Sequence, residues 1–458
     1  MHEIIVIGVY MRIIIVGVGN VGNELIKQLS KENHDIIVID KNERVVENIV
    51  NEYDVKGILG NGISNEIMSE AEISTCDLLI ACTQYDELNM LCCLVGKKLG
   101  AKETIARVKN REYSDLFADK ELGISQLVNP DYEAAGEIAR LLRYPSAIKI
   151  EPFASGKVDI VELKISETSP LKNVELKSLS TVLKNKILIC AVERNGDVFI
   201  PSGNFVLLVG DKIFITSSSD NVYGLFRELG MSKGARRIII VGGSRIAVYL
   251  AQALTKSGID VKIIEKDEEK CEFLTQTLSK ANVILGDGTN QELLLEEGLL
   301  DSDALVLLGG IDEQNIIISM YAVTKGAKKV ITKIDSSSYI PLLENSGIDS
   351  VISAKATTAN EIVKCVRGYA NSLGSAVNKL YKFVNDNAEI LEFKVTDSFK
   401  GRSTPLHKLG IKKNTLIAGI IRDDKLITPS GSDTIETNDL VLVVTLTTKL
   451  DDLNDILE

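Results

Sequence analysis

Three glycines and an acid carry the clearest chemistry in this sequence. They stand in Gly17-Val18-Gly19-Asn20-Val21-Gly22 and at Asp40. In such a spacing the first glycine permits a tight turn, the second lets backbone approach a pyrophosphate, and the third lets a helix pack closely on a strand. A helix opening at the turn offers unpaired N–H groups and the positive end of its dipole to phosphate oxygens. An acid at the end of the next strand accepts from ribose hydroxyls. The implied chemistry is binding of a dinucleotide or a related adenine nucleotide. Glycine spacing alone would say little, so the flanking elements decide its weight.

Those elements are present. An apolar run at 13–16 enters the turn, Val21, Leu25, Ile26 and Leu29 recur at helical spacing after it, and a second apolar run at 36–39 ends on Asp40. A helical pattern (Val45, Val46, Ile49, Val50) follows, then a third strand leaving through Gly60-Asn61-Gly62. A fourth strand at 78–82 ends on Thr83-Gln84, a helix begins near Asp86, and strands at 104–108 and 125–128 complete the set. Strands alternating with helices predict a doubly wound parallel sheet of Rossmann type, whose ligands bind at loops leaving the carboxyl ends of the strands. Asp40, Asn61, Thr83 and Arg107 all fall at such ends.

The chain also repeats itself. Arg237-Ile238-Ile239-Ile240-Val241-Gly242 copies Arg12-Ile13-Ile14-Ile15-Val16-Gly17 at an offset of 225, and Glu265 answers Asp40 at the same offset. At an offset of 226, Ile284-Leu285-Gly286-Asp287-Gly288 copies Ile58-Leu59-Gly60-Asn61-Gly62, and Asp303, Asp312, Asn315 and Lys333 answer Asp77, Asp86, Asn89 and Arg107. The intervening stretches 157–217 and 389–445 share short β-branched runs, with Pro201-Ser202-Gly203 recurring as Pro429-Ser430-Gly431. The expected fold class is therefore α/β: two Rossmann-like doubly wound parallel-sheet domains, each followed by a small α+β domain, in tandem duplication. Helical bridges at 131–144 and 357–369 join each large domain to its small one. Their apolar residues (Ile138, Leu141, Leu142; Ile362, Val363, Val366) need covering, which leads us to expect oligomerisation.

The two glycine turns differ. The second reads Gly242-Gly243-Ser244-Arg245-Ile246-Ala247. Alanine is acceptable at the third position, but Ser244 brings a side chain to the place where a pyrophosphate would approach. This turn binds nucleotide weakly, binds a different nucleotide, or is a structural remnant.

Bulk properties narrow the class. With 45% hydrophobic and 25% charged residues the composition is that of a globular protein. A formal charge of −12 argues against a general nucleic-acid binder or a polybasic membrane anchor, and no apolar run reaches the ~18 residues of a spanning helix. The seven cysteines form no C-x-x-C and sit in apolar patterns, as reduced cysteines of a cytoplasmic protein would; Cys92-Cys93 reads as packing. The histidines, His2, His34 and His407, show no metal-ligand spacing and supply no triad, and His34 reads as a surface residue. A G-x-x-x-x-G-K-[ST] loop is missing. Without acid–base machinery near the glycine turn, the chain reads as a sensor that binds nucleotide and leaves it unchanged. The alternatives are an NAD-dependent oxidoreductase with unrecognised catalytic residues, or a regulator of some other channel or transporter. Residues 1–10 rehearse the strand after Met11 and read as an upstream start or an extra edge strand.

Over nearly its whole length from Met11 the sequence resembles the TrkA family, regulatory subunits of Trk-type potassium-uptake systems built from two RCK (KTN) domains, each followed by a TrkA-C domain. The resemblance rests on Met11 to Gly22, on Thr83-Gln84-Tyr85-Asp86-Glu87-Leu88-Asn89, on Ile105-Ala106-Arg107, and on Ala139-Arg140-Leu141-Leu142-Arg143-Tyr144-Pro145. It implies domains at 11–145, 146–230, 235–375 and 380–458. It further implies NAD(H) at the first site, with Gly17, Val18, Gly19, Asn20 and Val21 cradling phosphates, Asp40 on the ribose, and Thr83, Gln84 and Arg107 at the strand exits. In the second repeat Gly242, Gly243, Ser244, Arg245, Ile246, Glu265, Gly309, Gly310 and Lys333 correspond, for ATP/ADP or NAD(H). Asn61 departs from the family's acid at that loop, which Asp287 keeps, and Gly309-Gly310 replaces Thr83-Gln84. The resemblance implies no catalysis and no metal, a homo-oligomer of tetramer type, and a membrane potassium-transporter subunit of the TrkH/TrkG-like kind as partner, on the inner face of the membrane.

Overall fold

The computed structural model describes residues 10–458, apart from 33, 111, 114–122, 144–147, 155–156, 185–186, 230–233, 344–345, 347, 349, 373–376, 384–387, 447–449 and 451. The readings of residues 1–9 and of the Tyr144-Pro145 helix end lie outside the described residues.

The first sheet has six parallel strands: β1 (Arg12–Val16), β2 (Asp35–Asp40), β3 (Lys56–Leu59), β4 (Leu78–Ala81), β5 (Glu103–Arg107) and β6 (Gln126–Val128). Their order is β3-β2-β1-β4-β5-β6, so the crossover direction reverses between β1 and β4 and leaves a crevice at their carboxyl ends. β1 is Arg-Ile-Ile-Ile-Val and buried on both faces, as a central strand covered by helices on each side must be. The helices are α1 (Asn20–Leu29), α2 (Glu43–Glu52), α3 (Asn65–Glu70), α4 (Asp86–Leu99) and the bridge α5 (Pro130–Arg143). Val21, Leu25, Ile26 and Leu29 are the buried stripe of α1, as their spacing predicts.

A small antiparallel sheet follows, from β7 (Lys149–Phe153), β8 (Val158–Lys164), β9 (Leu188–Arg194), β10 (Asp197–Phe199) and β11 (Lys212–Ser218), with α6 (Leu179–Val182) and α7 (Ser219–Glu228). The second large sheet repeats the first order with β12 (Arg237–Val241), β13 (Asp260–Glu265), β14 (Asn282–Leu285), β15 (Ala304–Leu307), β16 (Val330–Lys333) and β17 (Ser350–Ile352). Its helices are α8 (Arg245–Lys256), α9 (Glu268–Thr277), α10 (Gln291–Glu296), α11 (Asp312–Thr324), α12 (Ile340–Leu343) and the bridge α13 (Ala354–Ser372). The chain ends on β18 (Val377–Phe383), β19 (Ala388–Lys394), β20 (Thr415–Arg422), β21 (Lys425–Ile427) and β22 (Leu440–Thr445). The small sheets run β10-β9-β11-β8-β7 and β18-β19-β22-β20-β21, one strand plan read from opposite edges. They pack together: Phe153, Ile160 and Phe214 share a core with Ile390, Leu442 and Val444, and Ala154 N–H donates to Glu392 Oε2 at 2.7 Å.

Each bridge helix covers the other repeat. Ala134, Ile138, Leu141 and Leu142 of α5 pack into the second large domain with Leu250, Leu254, Ile238 and Ile240. Reciprocally, Ala359, Ile362, Val363, Val366 and Ala370 of α13 pack on Leu25, Leu29, Ile13 and Ile15 of the first. The expectation that these apolar residues call for a partner chain is thereby corrected, because the duplication supplies the cover within one chain. Hydrogen bonds follow the exchange, Thr357 Oγ1 donating to Glu137 Oε2 at 2.7 Å and Gln28 Nε2 to Asn360 Oδ1 at 3.0 Å. The surface reading of His34 is also corrected: its side chain is 8% exposed and its Nε2 lies 3.7 Å from Glu32. It sits at the α1–β2 connection, where Arg367 of α13 also pairs with Glu32.

Candidate functional site

The first glycine turn has the form its spacing predicts. Gly17 adopts φ +94°, in the region that favours glycine. A Cβ on Gly22 would lie 2.2 Å from the Gly17 carbonyl, so only glycine lets α1 start this close to β1. Gly19 is the opposite case, since a Cβ there meets nothing within 4 Å, and the space beside it is open. Gly19 is also the N-cap of α1 and brings no capping side chain. The first-turn N–H groups therefore face an open cavity, the arrangement that suits a phosphate.

Asp40 ties this turn to the next. Its Oδ2 accepts from the Val18 N–H at 2.8 Å and its Oδ1 from the Asn42 N–H at 2.9 Å. Each oxygen keeps a lone pair for a further donor such as a ribose hydroxyl.

The exits of β4 and β5 are stapled by two side chains of α4. Asn89, fully buried, accepts from Thr83 N–H and Oγ1, both at 2.7 Å, and its Nδ2 donates to the Thr83 carbonyl at 3.0 Å and the Arg107 carbonyl at 2.8 Å. Asp86 Oδ2 accepts from the Lys109 and Asn110 N–H groups, each at 2.8 Å. The second repeat reuses both devices. Asn315 donates to Gly309 and Lys333 carbonyls, and Asp312 accepts from Asp335 and Ser336. The correspondences visible in the sequence are thus positioning groups. They aim Arg107, whose Nη1 donates to the Thr83 carbonyl at 2.8 Å while its buried Nε has no partner.

These features open on one cavity of about 580 Å³, within the range of small-molecule sites. Gly17, Gly19, Asn20 and Val21 line it at the turn, with Asp40, Thr83, Gln84 and Arg107 at the strand ends. Val18 contributes its N–H to Asp40 and does not line the cavity. The far side comes from the second repeat: Ile246, Lys333, Asp335, Ala354 and Lys355. Arg107, Lys109, Lys333 and Lys355 make it cationic, with Asp40, Asp131 and Asp335 as partial counter-charge. Burial, and then Arg107, push the Lys109 ammonium's pKa down. Cys82, also lining the cavity, donates its thiol to the Gly17 carbonyl at 3.1 Å, and burial pushes its pKa up to about 12. It serves as packing and not as a nucleophile. Lys109, Asp131, Asp335 and Lys355 were missed from sequence. Lys109 follows Arg107 at the same exit and was within reach; Asp131 opens α5, and Asp335 and Lys355 are brought in by the second repeat.

The second turn is closed by its own groups. Ser244 caps α8, its side chain accepting from the Ala247 N–H at 3.4 Å. Glu265, 7% exposed, accepts from Gly243 N–H at 2.5 Å through Oε2, and from Lys266 and Asp267 N–H groups at 2.9 and 3.0 Å through Oε1. A Cβ on Gly243 would meet Leu274 Cδ1 at 2.6 Å. Gly242 repeats the positive φ at +99°. Gly309 stands against Asn315, where a Cβ would come within 2.6 Å of its Oδ1, while Gly310 is open. Arg245 turns away from its own repeat and pairs with Asp131 of α5 at 3.0 Å. Of the second-repeat candidates, Ile246 and Lys333 line the first cavity, and Gly242, Gly243, Ser244, Arg245, Glu265, Gly309 and Gly310 do not.

Residues 13–130 and 238–354 match the TrkA-N domain family, and residues 160–230 match the TrkA-C domain family. Trk system potassium uptake protein TrkA homolog 1 of Methanosarcina mazei is 33% identical over 447 residues, 95% of this chain and 97% of that protein. The corresponding protein of Archaeoglobus fulgidus is 34% identical over 436 residues, covering 94% and 97%. Among solved structures, the GsuK channel bound to NAD superposes with a TM-score of 0.62 at 16% identity over 96% of this chain and 77% of that one. The GsuK RCK domain gives 0.61 at 16%, covering 96% and 93%. At that identity the likeness is one of fold.

Proposed function

The chain belongs to the TrkA family, and from that premise we propose that it is a nucleotide-binding regulatory subunit that gates a membrane potassium-uptake partner of the TrkH/TrkG-like kind. Its domains are 11–145, 146–230, 235–375 and 380–458, and it works on the inner face of the membrane as a homo-oligomer of tetramer type. NAD(H) occupies the first cavity. Gly17 to Val21 cradle the phosphates, Asp40 takes the ribose, and Thr83, Gln84 and Arg107 line the strand exits. ATP/ADP or NAD(H) at the second turn would have to displace the Ser244 cap.

One observation carries the reading: the cavity at the first glycine turn is walled by both repeats. A ligand there touches two lobes at once, so its binding free energy depends on how they are arranged. A ligand shifts a conformational equilibrium only by its differential affinity for the two states, and a two-lobed cavity supplies that difference. Asp86 and Asn89 of α4 are spent on backbone and hold the strand exits in place.

Calorimetry of the chain against NADH, alongside potassium flux through its co-expressed membrane partner, tests the proposal. We expect binding and nucleotide-dependent flux in the wild type, and loss of both in Asp40→Ala. Steady NADH oxidation with a carbonyl substrate, abolished by a cavity substitution, would replace the sensor with an enzyme.

A further inference from the structure

Repeat correspondence assigns Lys333 to a pocket of its own repeat, because it answers Arg107. Its side chain is used elsewhere. Lys333 ends β16, lines the first-repeat cavity and is 13% exposed. Its Nζ donates to Asp335 Oδ2 at 2.6 Å, and Asp335 lines the same cavity. Both are fixed from behind. The Lys333 carbonyl accepts from Asn315 Nδ2 at 2.9 Å, and the Asp335 N–H donates to Asp312 Oδ2 at 3.0 Å. The second repeat thus holds an ammonium group in the same space as Arg107 and Lys109 of the first.

The second turn makes less use of that cation, since Ser244 caps its helix and Leu274 crowds Gly243. We infer that Lys333 contacts, across the repeat boundary, a phosphate of the nucleotide held on the first glycine turn, and that Asp335 is the resident competitor this phosphate displaces. The inference rests on the nucleotide-binding reading of the first cavity. A phosphate oxygen offers the ammonium, itself 13% exposed, a charge-assisted hydrogen bond. Asp335, 32% exposed, can be hydrated once released, so the exchange leaves no buried charge unpaired. The contact spans the two repeats and exists only with nucleotide present, so it couples occupancy to their arrangement.

The test is calorimetric titration of the full chain with NADH, and separately with ATP, in the wild type, Lys333→Ala, Lys333→Arg and Asp335→Asn. Loss of one charged contact predicts about tenfold weaker binding in Lys333→Ala, with much of the affinity kept in Lys333→Arg. Asp335→Asn removes the competitor and tightens binding. A purely structural ion pair would behave differently, because breaking it from either side would weaken binding alike. Unchanged affinity in Lys333→Ala, or weaker binding in Asp335→Asn, overturns the inference even when Gly19→Val abolishes binding. Should Lys333→Ala fail to fold, the sign of the Asp335→Asn effect decides alone. A wild type that binds neither nucleotide overturns the reading of the first cavity, and this inference with it.

Discussion

Arg367, near the end of α13, closes on Glu32 just beyond α1 of the other repeat, its Nη2 bonded to Oε1 and its Nε 3.4 Å from Oε2. The two side chains are 12% and 17% exposed. Burial by itself would raise the Glu32 pKa, but the charge of Arg367 and the neighbouring His34 reverse that and lower it from 4.5 to about 2. A depressed carboxyl pKa gives stability that is complete above its unfolded value and fades as pH falls towards its folded one. The shift corresponds to about 3 kcal/mol. Arg367→Met should lose roughly that amount in urea denaturation near neutral pH. The deficit should narrow as pH drops from about 5 to 3. A deficit independent of pH would show that the pair does not clamp α13 to the first repeat.

The helix exchange predicts where damage appears. Ile362 is fully buried in the core of the first repeat although it lies in the second. Ile362→Ala should cost about 2–5 kcal/mol, with amide protection falling first in β1 and α1. The mirror substitution, Ile138→Ala, should loosen β12 and α8 instead. Hydrogen exchange followed by mass spectrometry separates the two patterns. Loss confined to each variant's own repeat would rule the exchange out.

How much of this was legible follows from what a pattern can encode. The repeat was visible because Asp86 and Asp312, and Asn89 and Asn315, hold backbone at matching places, so both type and position had to survive duplication. Spacing in α5 and α13 told that Ile138 and Ile362 face a core but not whose core. A helix stripe specifies burial, and the partner lies a hundred residues or more away. Arg245 failed similarly: its place in the second turn was readable, while its outward rotamer towards Asp131 belongs to tertiary packing. His34 lacked any periodic cover in its own loop, and its neighbour Glu32 is held by Arg367 of α13.

Two glycines of one motif should respond in opposite ways. Gly19 faces open space, so Gly19→Val should keep the fold and melting temperature while blocking phosphate approach and weakening NADH binding at least tenfold. Gly22→Ala forces a Cβ to 2.2 Å from the Gly17 carbonyl, which should cost about 1–3 kcal/mol of stability. Thermal melts beside calorimetry distinguish these outcomes. Equal loss of stability in both variants would mean the turn is purely structural.

The last prediction concerns the second turn, where sequence left three readings open. If Ser244 were its only obstacle, Ser244→Gly would restore a binding turn. The geometry says otherwise. Leu274 would still fill the space beside Gly243, whatever stands at position 244. Replacing an N-cap serine by glycine costs only a few tenths of a kcal/mol, so the variant should fold normally. We expect calorimetric titration with NADH to give about one nucleotide per chain in the wild type and in Ser244→Gly alike, because Leu274 still occupies the space beside Gly243 that a nucleotide would need. A second binding event in Ser244→Gly would mean that serine alone closes the turn. One in the wild type would mean that Leu274 and Ser244 yield to nucleotide, making the closed turn a gate.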